Sequence, residues 1–318
     1  MSRSDAQIYL TAFAEESPSC GPALTSTGLI PDLHHYKGSF GGRVFPLWRD
    51  ASATESNIKI GIPAMLSASY ECPVDAEDVF AYIAAVAANP AYTARFQSDL
   101  STPGLRIPLT ADAKLFAETA EVGRRVLWLQ TFGGRMADSV HGRPPGPPRV
   151  PKDGEPSNPK EGTISSAPED MPNTIGYDAE KHHLLVGHGF INNVSPDVWK
   201  YEVSGKQILL QWFSYRKRDR ERPVMGDRRP PSPLGDIQPG HWLPEYTTEL
   251  LNVLRVLTLL VELEPKQADL LDRICAGPLI SEADLRAAGA LDIPAAAPKS
   301  TKAKKEKPLK IEFPDSQS

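Results

Sequence analysis

Nine prolines fall within residues 139–172, so this stretch can form neither a long helix nor a central strand of a sheet. Its remaining residues are too poor in apolar side chains to bury a core. Periodic apolar sequence lies on both sides of it. We therefore predict a Pro-rich linker or long exposed loop at 139–172 that separates two folded blocks.

The block before this loop is predicted to combine strands and helices. Glycines flank short apolar stretches in residues 1–60, which predicts a β-rich N-terminal segment with tight turns. Residues 61–138 form a predicted helical block. Its expected helices cover 76–88, with Asp75 as the capping residue, then 92–100 and 111–132.

The block after the loop, 173–290, is predicted to contain a hairpin followed by helices. Strands at 177–181 and 183–186 make the hairpin. Ser195 and Pro196 then start a helix that runs through Val203 and is interrupted at Gly205. Further helices are expected at 206–218, 245–263 and 266–276, with a short helical turn near 281–288.

A Lys-rich, disordered tail is expected at 291–318, because this segment has six lysines and almost no apolar periodicity. The predicted fold class is therefore α+β: a helical block with small β elements and a disordered C-terminal tail.

Composition and charge exclude several classes of protein. The chain is 40% hydrophobic and 24% charged, as in ordinary globular proteins, and its formal charge of −5 argues against a protein that coats nucleic acid wholesale. Cys20, Cys72 and Cys275 lie far apart, so neither a disulfide framework nor a zinc site is indicated. With no apolar secretory signal and no membrane-length apolar stretch, we expect a soluble, cytoplasmic protein.

The strongest local feature is a concentration of positive charge at 211–229, where seven basic residues stand against three acidic ones. We call the seven the basic cluster: Arg216, Lys217, Arg218, Arg220, Arg222, Arg228 and Arg229. Such residues can pair with phosphates, and arginines at a helix end can bond the O6 and N7 edge of guanine. A solvated helix end with internal ion pairs is the alternative, and composition alone favours it. The adjacent Trp212, Phe213 and Tyr215 are predicted to anchor the helix in its core.

The histidines do not indicate a metal site. His34 and His35 are adjacent, as are His182 and His183, and adjacent residues on a strand point to opposite faces. Neither these nor His188 has the H-x-x-x-H spacing that gathers ligands round one ion. We expect no metal.

The sequence lacks a complete catalytic motif. Asn-Pro-Ala-Tyr at 89–92 resembles the Asn-Pro-Pro-Tyr loop of amino-methyltransferases, but it follows a predicted helix instead of a strand and is interpreted as a helix break. Ser204-Gly205-Lys206 resembles the end of a phosphate loop, but Gln207 replaces the required Ser or Thr. Since neither a glycine-rich cofactor loop nor a G-x-S-x-G elbow is present, we predict no catalytic residues and no bound cofactor in this chain.

An ordered series of short segments carries a family resemblance. The segments are residues 78–83, 89–92, 95–96, 105–109, 115–116, 122–125, 175–177, 194–201 and 203–212. Their order and spacing resemble the C-terminal specificity domain of the type I single-polypeptide (ISP) restriction-modification enzymes, over roughly residues 20–290. In that family a nuclease, a helicase-like ATPase and an adenine-N6 methyltransferase precede this domain, which recognises the target sequence in duplex DNA.

The resemblance implies a target-recognition-domain-like fold, double-stranded DNA as the partner, and the basic cluster as the DNA surface. It also implies a methyltransferase/nuclease polypeptide of the same phage-defence system, with S-adenosylmethionine bound there. Two other functions stay open: part of an active DNA methyltransferase completed by another polypeptide, and a protein–protein adaptor whose basic segment docks an acidic partner.

Overall fold

The computed structural model describes residues 5–13, 18–32, 42–102, 104–218 and 239–291. Helices and small antiparallel sheets alternate along this part of the chain, which confirms the α+β prediction. All but one residue of the predicted tail at 291–318 lies outside the described residues. None of the described helices is long and apolar enough to cross a membrane.

The N-terminal segment forms a three-stranded antiparallel sheet, as its glycine-flanked apolar stretches predicted. Strand β1 lies between the other two and is buried along its whole length, with Tyr9 opposite both Thr27 and Pro46. The Gln130 side chain accepts hydrogen bonds from the Ser26 backbone N–H (2.7 Å) and hydroxyl (2.8 Å), which joins the sheet to a helix. The strands are β1 (Tyr9–Phe13), β2 (Leu24–Thr27) and β3 (Gly42–Pro46).

The described residues of the helical block form four helices: α1 (Gly61–Tyr70), α2 (Ala76–Ala87), α3 (Pro90–Arg95) and α4 (Ala113–Gln130). Asp75 caps α2 as predicted, in a reciprocal capping box with Asp78. Helix α1 was not predicted. The expected helix at 92–100 is instead α3, which begins earlier and ends at Arg95, followed by a 3₁₀ turn at Asp99–Ser101.

Helices α2 and α4 pack unusually closely at one glycine. A Cβ atom on Gly123 of α4 would lie 1.8 Å from the Ala81 carbonyl oxygen of α2. Around this contact the two helices bury Phe80, Val86 and Val126. The α2–α4 pair is therefore the centre of the helical block, and only glycine fits at the point of contact.

The Pro-rich segment 139–172 is irregular, as expected for a loop, but the expectation that it buries nothing is wrong. Val150, Ile164 and Met171 are at most 6% exposed. A few well-spaced apolar residues are thus enough to pack the segment. The average composition of the segment did not reveal this, because it does not show where the apolar residues lie. Its regular pieces are three 3₁₀ turns: Lys152–Gly154, Lys160–Gly162 and Pro168–Asp170.

Polar contacts also hold this segment to both blocks. The Arg143 side chain is buried and pairs with Glu121 of α4. On the other side, the Asn158 amide donates to the carbonyls of Gly162 and Phe190, both at 2.7 Å. The segment therefore packs between the helical block and the following sheet and does not act as a free spacer.

The second block begins with a three-stranded antiparallel meander instead of the predicted two-stranded hairpin. Its strands are β4 (Ile175–Asp178), β5 (His183–Val186) and β6 (Gly189–Ile191). Strand β6 is too short to leave a periodic signal. Next comes α5 (Pro196–Lys200), capped by Ser195 as predicted.

The predicted continuation of this helix through Val203 is wrong, because the chain forms a small hairpin there. Strands β7 (Glu202–Val203) and β8 (Lys206–Gln207) pair around Ser204 and Gly205, which both have positive φ, at 55° and 75°. Such a two-residue turn reverses the chain directly. The helix expected at 206–218 is consequently shorter, α6 (Ile208–Ser214).

A single helix, α7 (Pro244–Ala276), replaces the two predicted around Pro265. Proline removes one helical hydrogen bond at a cost of about 3 kcal/mol, so a break was expected. Buried residues on both sides of Pro265, among them Leu260 and Leu270, and the bonds from the Gln267 amide to the carbonyls of Ala85 and Ala88 hold the helix together. Helix α8 (Glu282–Ala287) follows, capped by Ser281, where the helical turn was predicted.

Candidate nucleic-acid interface

The described part of the basic cluster lies directly after α6. Arg216, Lys217 and Arg218 belong to the described residues, whereas Arg220, Arg222, Arg228 and Arg229 lie outside them. The structure therefore shows the contacts of the first three residues of the cluster.

Aromatic packing fixes α6 against α7. Phe213 is buried, and its ring centroid lies 6.3 Å from that of the fully buried Trp242. Trp242 also meets the ring edges of Trp212 and Tyr246, with centroids 6.2 and 5.4 Å away. The prediction that Trp212 and Phe213 anchor the helix is confirmed. For Tyr215 it is wrong, because that residue is 58% exposed.

Arg216 is held by the protein itself. Its guanidinium lies 4.2 Å from the centroid of the Trp212 ring. Its Nη2 and Nε donate to Glu249 Oε2 at 2.8 and 3.1 Å, and its Nη1 donates to the Trp212 carbonyl at 3.0 Å. Arg216 thus connects the end of α6 to α7. This is the internal ion pairing that the composition of the cluster by itself favoured.

Arg218 is tied to the Pro-rich segment. Its backbone N–H donates to the Pro172 carbonyl at 2.9 Å, and its guanidinium donates to the Glu169 carbonyl. The backbone N–H of Lys217, between them, bonds to the Phe213 carbonyl at 3.0 Å. These contacts hold the described start of the cluster, residues 216–218, as a fixed turn.

Sequence reasoning missed the partners of this turn. Trp242, Tyr246 and Glu249 all come after residues 219–238 in the sequence, well separated from the start of the cluster. Tyr246 and Glu249 are three residues apart, so they share one face of α7. That spacing is the signal that was available, but nothing in the sequence pairs this face with Arg216.

An apolar cavity of about 520 Å³ lies beside this turn. Its lining includes Phe132, Ile208, Trp212 and Val256. Most of the accessible surface of this cavity is apolar, so the cavity itself is not a phosphate site.

The histidines are spread over the molecule. His182 occupies the turn between β4 and β5 with φ of 54°, and the ring of His183 stacks on Phe190 with centroids 4.2 Å apart. His34 and His35 lie outside the described residues. Over the described ranges, His, Cys, Asp and Glu form no group of three placed to hold a metal ion.

The Asn-Pro-Ala-Tyr motif at 89–92 lies at the start of α3, after the end of α2, which confirms its interpretation as a helix break. The Asn89 side-chain oxygen accepts from the Ala91 N–H at 2.9 Å and so caps α3. The Tyr92 hydroxyl donates to the Arg106 carbonyl at 2.7 Å. Both side chains thus have roles in the fold.

Comparison with known proteins decides the family. The sequence model of the type ISP C-terminal specificity domain matches residues 1–252. The chain belongs to this family. No curated protein sequence matches it.

Solved structures resemble this type ISP specificity domain over most of its length. The cryo-EM structure of a DrdV–DNA complex matches 84% of the chain with a TM-score of 0.53 and 17% identity. The ATP-dependent type ISP restriction-modification enzyme LlaBIII bound to DNA matches 84% with a TM-score of 0.52 and 11% identity. The chain spans only 24% and 16% of those two chains, and at such low identity the TM-scores show a shared fold and no more.

Proposed function

We propose that this type ISP specificity domain recognises a specific sequence in double-stranded DNA, as the specificity module of a restriction-modification system with adenine-N6 methyltransferase activity. The observation that carries the proposal is the family match over residues 1–252. The basic cluster supports it, because it concentrates positive charge at one place in a chain of net charge −5.

Within the cluster we assign two roles. Arg216 and Arg218 engage Glu249 and backbone carbonyls, so their first role is to fix the direction in which the chain leaves α6. Phosphate and base contacts then come from the cluster residues that follow this turn in the sequence: Arg220, Arg222, Arg228 and Arg229. A phosphate that binds Arg216 or Arg218 has to displace an existing partner, which lowers the gain from that contact.

The salt dependence of DNA binding tests the proposal. Fluorescence anisotropy of a labelled duplex, measured over a range of salt concentrations, gives the number of phosphate contacts from the slope of log K against log salt. Replacing Arg220, Arg222, Arg228 and Arg229 by Ala should lower the slope by about 3 to 4, since each lost contact removes about 0.9. A selection from a random duplex library should enrich one sequence motif.

The matched control removes the same charge elsewhere. Lys114, Lys152, Lys160 and Lys181 are exposed, and their replacement by Ala should change the slope by less than one contact. An equal loss in both variants would contradict the basic cluster as the DNA surface. A shallow slope in the unaltered protein, or a library without an enriched motif, would contradict sequence-specific recognition.

We further propose that the module acts with a methyltransferase/nuclease polypeptide of the same system, which binds S-adenosylmethionine. The small share of the DrdV and LlaBIII chains that this domain covers supports such a division of labour. Methyl transfer to duplex DNA should require both components when they are mixed. A stable protein complex that forms without methyl transfer and is insensitive to DNA would favour the adaptor alternative.

A further inference from the structure

A second concentration of positive charge begins in the C-terminal half of α4 and continues into the Pro-rich segment. Residues 125–149 contain four arginines and one acidic residue, Asp138, and none of them belongs to the basic cluster. Arg143 is buried and pairs with Asp138 and with Glu121 of α4, so its charge is compensated inside the protein. We call the other three the second arginine group: Arg125, Arg135 and Arg149.

The second arginine group has no carboxylate partner within the part of the chain that the structure describes. Arg125 Nη1 donates to the Gly142 carbonyl at 3.2 Å. Arg135 Nε donates to the Gln7 carbonyl at 3.0 Å, and its Nη1 donates to the carbonyl of the preceding residue at 2.8 Å. Arg149 is exposed. A guanidinium has five N–H donors, so at least three stay available on each side chain, and the carbonyls fix its direction without removing its charge.

Packing against α4 brings the group together. Trp128 Nε1 of α4 donates to the Pro144 carbonyl at 3.0 Å. Just after α4, a Cβ atom on Gly133 would lie 1.8 Å from the Gly146 carbonyl oxygen. Residues 133–146 are therefore held against the C-terminal half of α4. The second arginine group lies on this half of the helix, within the held residues and directly after them, and so forms one continuous surface.

The apolar cavity of about 520 Å³ connects this surface to the start of the basic cluster. Phe132, in the turn that leads to Arg135, lines the cavity at the end of α4, and Trp212 of α6 lines it as well. The guanidinium of Arg216 lies over the Trp212 ring. The two basic surfaces therefore border the same open cavity, and an elongated polyanion that crosses it can reach both.

We propose that the second arginine group binds the phosphate backbone of the same duplex that the basic cluster engages, so that the DNA lies across this cavity. The inference rests on the proposed function, which makes duplex DNA the anion. A duplex carries about one negative charge per 1.7 Å of its axis, so it can meet separated arginines that a small anion cannot bridge. The planar fork of arginine bonds two phosphate oxygens at once. Such contacts position the duplex and carry no direct sequence information.

Fluorescence anisotropy of a labelled duplex with the full chain, over a range of salt concentrations, tests the proposal. Replacing Arg125, Arg135 and Arg149 by Ala should lower the slope of log K against log salt by about 2 to 3, at about 0.9 for each lost contact. The motif that the variant enriches from a random duplex library should stay the same, because the lost contacts do not read bases. Combining this variant with the four basic-cluster substitutions should lower the slope by the sum of the two losses.

Two matched variants separate the effect of charge from an effect on the fold. Arg49, Arg273 and Arg286 are exposed, and each pairs with a carboxylate. Their replacement by Ala removes the same charge and should change the slope by less than one contact. Replacing the second arginine group by Lys keeps its charge but not its guanidinium geometry, so this variant should keep the slope of the unaltered protein.

An equal loss of slope in the Lys and Ala variants would overturn the proposal, because it would assign these arginines to the fold. An unchanged slope in the Ala variant would overturn it in favour of an acidic protein as the partner of this surface. Binding of two duplexes to one protein would overturn the arrangement across the cavity. In each case, sequence-specific binding by the unaltered protein leaves the proposed function intact, whereas the absence of such binding contradicts the proposed function itself.

Discussion

Replacing Arg216 by Ala should destabilise the fold more than it weakens the electrostatic component of DNA binding. Arg216 makes a paired contact with Glu249, donates to the Trp212 carbonyl and lies over the Trp212 ring. Glu249 is 48% exposed, so solvent screening limits the ion pair to about 0.5–1 kcal/mol. The cation–π contact adds about 0.5–1 kcal/mol, and the bond to the carbonyl adds about 1 kcal/mol.

The expected loss for Arg216→Ala is therefore about 2 kcal/mol in the free energy of unfolding, measured by urea titration. A double-mutant cycle with Glu249→Gln should give a coupling energy of about 0.5–1 kcal/mol, which isolates the ion pair. Arg216→Lys should recover only part of the loss, because lysine has neither the planar fork nor the stacking face. The salt slope of DNA binding should fall by less than one phosphate contact.

The opposite pattern would refute this reasoning. Unchanged unfolding of Arg216→Ala, together with a salt slope lowered by about 0.9, would mean that Arg216 contacts phosphate and that its contacts with α7 contribute nothing. A zero coupling energy with a large loss for the single variant would place the stabilisation in the Trp212 contacts alone.

Three further changes test other parts of the structure. Gly123→Ala should lower the free energy of unfolding by about 1–3 kcal/mol, because the added Cβ meets the Ala81 carbonyl and this outweighs the better helix propensity of Ala. Thermal unfolding measures the effect, and an unchanged or higher Tm would contradict the close helix contact. Arg143→Ala should cost about 2 kcal/mol in urea titration, because it removes a buried side chain together with its bonds to Glu121 and the Met136 carbonyl. The exposed control Arg149→Ala should cost less than about 0.5 kcal/mol, and equal effects would mean that the Pro-rich segment is not packed. The pKa of Glu264 is raised to about 7 from 4.5, so between these pH values the folded state holds a proton that the unfolded state has lost. The free energy of unfolding should therefore fall from about pH 4.5 to 7, by on the order of 1–2 kcal/mol after allowance for partial exposure. Glu264→Gln should remove this fall, and a fall that persists in the variant would belong to another group.

Local chemistry made much of the fold readable from the sequence. Asp75 and Ser195 cap α2 and α5 where expected, and Ser281 caps α8, because capping needs only a short polar side chain next to the first helical turn. The α+β class followed from the change between strand and helix periodicities. The family also followed from the ordered segments, since the model of the specificity domain matches residues 1–252.

Contacts distant in sequence decided the rest. Pro265 lies within a continuous α7 because buried residues on both sides hold the helix together, and the Pro-rich segment is packed because Arg143 and Asn158 find partners in the two blocks. The composition of a segment shows which of its side chains could be buried, but not which of them find a partner elsewhere in the chain.

The basic cluster shows the same division. The sequence by itself determined that positive charge is concentrated at 211–229. Only the tertiary structure decided that Arg216 pairs with the Glu249 carboxylate, 33 residues away, and that Arg218 donates to the backbone carbonyl of Glu169, 49 residues away. The physical reason is that charge is a property of each residue, whereas the partner that it contacts is chosen by the packing of elements from separate parts of the chain.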